Sequence, residues 1–290
     1  MPTKKYINMK KNFVLLLSVI SFTTFAQTPT GKIVVKKGQH FVIVSNSEGN
    51  VTQEMMGQNM EMKIGSATKL SADIKDSKNN NYTITQTLTS MKSTFSGMGQ
   101  EKSFDSDKKE DMAGEAGAMY KDKLNVPKDV EITNEGKSLV VADTTKRDST
   151  GGDNPMSAIM EMIGGGQDNV AGVLFLVIPM GKKVGDTWQD SSISEGVKLK
   201  RMYTLNSIAN KQAAVTVNSM LDVNKTMQLQ GMDMNAVMTS KIVSAVLVDV
   251  LSNIQKENKS TMDVTGTIDV MGQSVPITAK ATSVTSVKML

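Results

Sequence analysis

Apolar and polar residues alternate with a period of two along much of this chain. Met60, Met62, Ile64, Leu70, Ala72 and Ile74 share one parity, while Glu61, Lys63, Lys69 and Asp73 share the other. Tyr82, Ile84 and Leu88 alternate with Thr83, Thr85, Thr87 and Thr89, and Val215, Val217, Leu221 and Val223 with Thr216, Asn218, Met220 and Asp222. Met262, Val264, Ile268 and Val270 repeat the pattern against Thr261, Asp263, Thr265, Thr267 and Asp269. Strict alternation marks strands with one face on a core and one in water, the habit of antiparallel sheets. Turns are expected at Ser47-Glu48-Gly49-Asn50, Lys78-Asn79-Asn80-Asn81, Asn134-Glu135-Gly136-Lys137 and Ala209-Asn210-Lys211. Several strands run to about ten residues or more, as curved sheets and barrels require. The expected fold is mainly β: a large curved antiparallel sheet or half-barrel with two or three short helices.

Helical pattern is confined to the middle. Asp107-Lys108-Lys109-Glu110 reads as a capping box with Asp107 as cap, opening a run rich in Ala, Met, Glu and Lys that reaches about Leu124. Gly114 and Gly117 weaken that helix. Asn154-Pro155 starts, and Gly164-Gly165-Gly166 stops, an apolar helix over 156–163. The run 171–178 reads as a buried helix or a strand, with Asp168 and Pro179 favouring helix. A polar loop over 143–154 opens a connecting segment, 143–179, between halves of about 32–142 and 180–290. Each half contains Met-Gly hairpins: Met56-Gly57-Gln58 and Met98-Gly99-Gln100, then Gln230-Gly231-Met232 and Met271-Gly272-Gln273. Duplication of a meander sheet and independent use of Gly at turns both account for this likeness.

Residues 9–27 read MKKNFVLLLSVISFTTFAQ and have the three parts of an export signal. Lys10 and Lys11 are its positive end, 13–22 its apolar core, and Thr24-Phe25-Ala26 its small-residue cleavage site. Cleavage is expected after Ala26, with 27–290 the mature β domain and Met9 a better initiator than Met1. The apolar core is too short to span a membrane, which takes about 20 residues, although a retained anchor is the other reading. The leader also explains the charge: 4 of the 33 Lys and Arg precede the cleavage point, leaving 29 against 29 Asp and Glu. A neutral mature chain gives no support to a nucleic-acid partner. Cysteine is absent and Gln27 follows the cleavage site, so there is neither a disulfide framework nor a lipidated cysteine. The expected location is periplasmic or secreted, with no integral membrane span after cleavage.

Candidate chemistry is sparse. The single histidine, His40, opens an apolar strand with Phe41 and Ile43, and no G-x-S-x-G elbow accompanies it. One His and no Cys cannot assemble a conventional zinc or iron site. Calcium could be asked of Asp105, Asp107, Glu110 and Asp111, but Lys108 and Lys109 interrupt them and no glycine turns the loop. The Gly pairs and triplets are followed by no Gly-Lys-Ser/Thr. A non-enzymatic chain with no metal and no cofactor is expected.

Methionine is the compositional anomaly, with 23 residues against 12 aromatics. Three readings stand: flexible core filler, which carries the most weight; a lining for a hydrophobic or lipid-like ligand; and a thioether copper site. For the second, Met60, Met62, Met156 and Met160 are the candidate lining residues.

Three short motifs stand out: Gln53-Glu54-Met55-Met56-Gly57-Gln58, Gly97-Met98-Gly99-Gln100 leading to Phe104-Asp105-Ser106-Asp107, and Val184-Gly185-Asp186-Thr187-Trp188. In these the chain resembles an uncharacterised family of exported proteins from the Bacteroidota. The resemblance implies an order of signal peptide, strands, helical middle and strands, and no site residues. By fold analogy alone, such a sheet is similar to the lipoprotein-carrier half-barrel. The resulting expectation is an exported binding module for a hydrophobic small molecule or lipid. The alternative is a structural or surface interaction protein without a small ligand.

Overall fold

The computed structural model describes residues 28–290 apart from 56–57, 79, 98, 138, 140–169, 195, 230–231 and 271–272. The export signal, the loop 143–154, the helix 156–163 and its glycine stop lie outside the described residues.

The strands are β1 (His40–Met55), β2 (Gln58–Lys78), β3 (Asn81–Gly97), β4 (Gln100–Asp105), β5 (Lys128–Thr133), β6 (Thr187–Ser194), β7 (Val197–Ala209), β8 (Gln212–Leu229), β9 (Met232–Asp249), β10 (Gln255–Val270) and β11 (Gln273–Met289). Three short helices accompany them among the described residues: α1 (Lys109–Ala113), α2 (Glu115–Tyr120) and α3 (Val170–Leu174). All eleven strands form one sheet in the order β4-β3-β2-β1-β11-β10-β9-β8-β7-β6, with β5 alongside β3. Every neighbouring pair is antiparallel. The sheet is curved and does not close, the half-barrel that the alternation predicts.

Two meanders, β1 to β4 and β6 to β11, meet where β1 pairs with β11. At one end of the sheet the pairs Met55↔Gln58, Gly97↔Gln100, Ser194↔Val197, Leu229↔Met232 and Val270↔Gln273 each leave two residues between strands. The Met-Gly sequences at 56–57, 98, 230–231 and 271–272 lie wholly or largely outside the described residues, between these paired strand ends. The opposite, far end holds the turns 78–81 and 209–212. There Asn80, Asn210 and Lys211 have φ of 65°, 50° and 63°, the left-handed turn geometry expected at those two signals. The Asn134-Gly136 turn also forms, with Gly136 at φ 80°.

Alternation decides which face is buried. At the far end, Phe41, Ile43, Leu70, Ile74, Ile84 and Leu88 pack under Ile33, Val35, Leu124 and α3. Beside them Leu205, Val215, Val246 and Val248 pack with Leu176 and Ile178. At the hairpin end, Val51, Met62, Ile64, Met238, Met262, Val264 and Ile277 form a cluster whose buried members all come from strands. Burying a side chain of this size stabilises by about 1.5–3 kcal/mol each, so the buried face dominates the folding energy.

The structure corrects four local expectations. Ser47-Glu48-Gly49-Asn50 is no turn: it lies inside β1, paired residue by residue with β2 and β11. A ladder on both sides outweighs local turn chemistry. The long helix breaks at Gly114, an extended residue with φ −84° and ψ 179°, into α1 and α2. Asp107 does not cap it: Lys108 holds the cap position without a side-chain bond, and Asp107 accepts from Ser90 on β3 instead. The run 171–178 is helical only to Leu174; Leu176 then donates to the Asn253 carbonyl at 3.0 Å and the chain runs extended.

Candidate functional site

The registers place a feature on the buried face that no local pattern announces. Ser244, Ser260, Ser283, Ser47, Ser66 and Ser93 stand directly opposite one another across β9, β10, β11, β1, β2 and β3. At about 4.8 Å per strand this seam is about 24 Å long. The next position toward the far end is also polar, with Asn258, Thr285, Ser45 and Thr68 in register. Ser45 and Thr285 share a hydrogen bond of 2.8 Å, and Ser47 donates to Ser283 at 3.0 Å. Ser47 and Ser244 are buried while Ser66, Ser93, Ser260 and Ser283 are half-buried, so the seam lies between core and solvent. The next position toward the hairpin end is apolar on the same six strands: Ile242, Met262, Ala281, Gly49, Ile64 and Phe95.

Two buried acceptors in this region lack donors. The Asn258 Oδ1 atom in the polar row has no hydrogen-bond partner, and neither has Oε1 of Gln255, the buried residue that begins β10. A register shift between Gln255 and Glu257 brings both toward the same face. Gln255 spends its amide nitrogen on the Gly172 and Phe175 carbonyls at 2.7 and 3.0 Å, pinning α3 to the sheet. Leaving a buried acceptor unmatched costs about 1–3 kcal/mol.

Among the methionines named from sequence, Met62 is fully buried in the hairpin-end cluster and Met60 is half-buried one position further along the same face. Met156 and Met160 lie outside the described residues. Met238 and Met262, absent from that candidate list, are buried beside Met62. His40 opens β1 as expected, and its Nδ1 lies 2.6 Å from Asp73 Oδ1 on β2. The acidic run is engaged by a lysine: Lys92 bonds Asp105 at 2.9 Å and holds its carboxyl below the usual range. No group of three His, Cys, Asp or Glu residues suited to a metal occurs among the described residues.

An aromatic and ionic cluster closes one edge of the buried face. Trp188 on β6 and Tyr203 on β7 stack with ring centroids 5.1 Å apart and planes within 2°. The Tyr203 hydroxyl donates to Asp190 Oδ2 at 2.8 Å, while Arg201 Nε donates to Oδ1 at 2.7 Å. Burial raises the Tyr203 pKa far above that of an ordinary phenol, and the neighbouring Asp190 adds to the rise. Between pH ~10 and that raised value, an unfolded Tyr203 ionises and a folded one does not. Stability is therefore fully present below pH ~10 and falls above it by about 1.4 kcal/mol per pH unit from this residue. Urea unfolding between pH 9 and 12 should show a shallower alkaline loss in Tyr203→Phe than in the wild type; equal slopes would contradict the assignment.

An open depression of about 880 Å³ spans β10, β11, β1, β2, β3 and β4. Its lining mixes exposed polar residues, including Glu48, Asn50, Lys63, Thr261, Asp263 and Lys280, with Ile64, Phe95, Met262 and Ala281 of the apolar row. Charges of both signs line it, with Lys280 and Asp263 3.9 Å apart.

Comparison with known proteins adds a partial family match and remote folds. Residues 174–254, the segment from the end of α3 to the β9–β10 turn, match the sequence model of a family of unknown function (DUF6263). No curated protein matches the chain. Among solved structures, a lipovitellin structure concerned with lipid–protein interactions aligns over 88% of this chain at 12% identity and a TM-score of 0.49; the chain spans 26% of that protein. An outer membrane channel from Pseudomonas putida F1 aligns over 90% of this chain and 99% of its own, at 7% identity and a TM-score of 0.23. The translocator domain of the autotransporter NalP from Neisseria meningitidis aligns over 87% of this chain and 89% of its own, at 7% identity and 0.21. No helix among the described residues is long and apolar enough to cross a membrane.

Proposed function

We propose that this is an exported, non-enzymatic binding protein that holds or carries a hydrophobic or lipid-like ligand in the periplasm or outside the cell. The supporting observation is the hairpin-end half of the buried face. There an apolar surface continues across β2, β1, β11, β10 and β9 with three methionines, Met62, Met238 and Met262, among small Ala236, Ala279 and Ala281. Thioether side chains repack around varied apolar shapes, and small neighbours leave room for them to move. A curved sheet that stays open leaves such a surface approachable between its two edges.

Native mass spectrometry of protein purified from its own cells, followed by solvent extraction, tests this directly. A co-purifying lipid or other apolar molecule is the expected result. Recovery of ligand-free protein only, from cells and after incubation with lipid extract, would remove the reading.

A second reading, an interaction protein without a small ligand, draws on the charged rim of the open depression. Its mixed charges suit a polar partner.

A further inference from the structure

The serine seam says what kind of head group a lipid-like ligand would carry, and this inference rests on the hydrophobic-ligand reading above. We propose that the seam is the polar subsite for a neutral, hydroxyl-bearing head group, with the ligand's apolar part lying over the methionine-bearing surface toward the hairpin end.

Three observations carry it. First, the seam is a continuous hydrogen-bonding surface where the face is otherwise apolar: six serines in one register, with Asn258, Thr285, Ser45 and Thr68 beside them. Stability alone would fill a central position of a buried face with apolar side chains, as the row toward the hairpin end mostly does; hydroxyls there need hydrogen-bond partners. Second, partners are missing where they matter. Asn258 Oδ1 in the seam and Oε1 of Gln255, itself only 3% exposed, are both acceptors, and both lack a donor. What satisfies an orphan acceptor is an O–H or N–H, which a hydroxylated head group brings and a carboxylate or phosphodiester does not. Third, none of the ten residues in the two polar rows is charged. Arg201 stands two strands beyond β9, on β7 beside the edge strand, and is already paired with Asp190. An anionic head placed in the seam would be desolvated without a counter-charge, whereas a neutral one would exchange water hydrogen bonds for serine and amide ones.

The polar row and the apolar row are adjacent positions of the same strands, about 7 Å apart. One molecule with a hydroxylated end and a chain therefore meets both, its head across β10, β11 and β1 and its chain toward Met262 and Met62.

The test uses the mature chain and three probes with the same oleoyl chain: 1-monooleoylglycerol, methyl oleate and oleate, below their aggregation limits, followed by displacement of an apolar fluorescent dye. The glycerol ester should bind about tenfold more tightly than either of the others. The double variant Ser260→Ala with Asn258→Leu should lose that preference and keep its affinity for methyl oleate. If that variant does not fold by circular dichroism, Ser260→Ala alone removes one half-buried hydroxyl and should lose part of the same preference. Equal binding of the three probes, or tighter binding of oleate, overturns the seam assignment and leaves an apolar site; a preference unchanged in the variants overturns it too, the seam then holding water only. Failure of all three probes to displace the dye overturns the hydrophobic-ligand reading together with it.

Discussion

Asn253→Ala is expected to lower the stability of the protein by about 3–5 kcal/mol, from three hydrogen bonds worth about 1–3 kcal/mol each once their partners are left buried. Asn253 is completely buried in the β9–β10 turn, with φ at 59°. Its Oδ1 accepts from Ile178 N at 3.0 Å, and its amide donates to Lys32 O at 2.7 Å and to Thr30 Oγ1 at 2.9 Å. Its own carbonyl accepts from Leu176 N at 3.0 Å. One side chain thus ties the segment after α3 and the segment before β1 to the same turn of the sheet. Alanine removes every side-chain bond and also strains a left-handed backbone position that Asn tolerates better than most residues. Asn253→Asp keeps the acceptor but sets a buried carboxylate oxygen against the Lys32 carbonyl, so it should destabilise at least as much as alanine. Hydrogen exchange distinguishes this account from a general loosening: faster exchange should appear at Ile178 and Ile33 in the alanine variant before it appears in β1. Uniform acceleration over the sheet would count against a local clasp.

Phe41→Ala should cost a similar amount, about 3–5 kcal/mol. Phe41 has no exposed surface and stands in β1 opposite Ala72 of β2 and Met289 of β11. The small partner on one side means that little can slide in to fill the space, so most of the cavity persists. Urea denaturation followed by circular dichroism should show a lowered midpoint with an unchanged slope. Met220→Ala, at a residue 42% exposed on the solvent face, is the matched control and should change stability by no more than about 0.5 kcal/mol. A Phe41 variant as stable as that control would mean that the far-end cluster is not the stabilising core described above.

Much of the sheet is readable from period alone, because a half-buried strand advertises itself. The runs 60–74, 82–88, 215–223 and 262–270 all fall inside strands, and the turns at Asn80 and Asn210 connect strands where their chemistry says they should. What period cannot supply is register. Ser47 in β1 and Ser283 in β11 are separated by nearly the whole chain, and only pairing shows that they belong to one seam. The same blindness hides Asp190, Arg201 and Tyr203, whose meeting depends on how β6 lies against β7. The false turn at Ser47–Asn50 has a related cause: its residues suit a turn locally, yet both neighbouring strands bind that stretch of backbone. Serines on the buried face also conceal the strands that carry them, since β11 reads as small and polar where a core-facing strand should read as apolar. Of the methionines chosen from sequence, Met60 and Met62 were selected by parity and do share the buried face. The methionines that join Met62, at 238 and 262, are contributed by β9 and β10 on the far side of the β1–β11 junction.

That junction governs when the molecule can become whole. The first strand and the last meet along thirteen residue pairs in the middle of the sheet, from Phe41↔Met289 to Gln53↔Ile277, while both edges are short strands from the chain's interior. Each meander can zip hairpin by hairpin, but the two cannot join until Gln273–Met289 has been made. A chain wired in this way should fold late and slowly for its size, its rate limited by the search that brings its ends together.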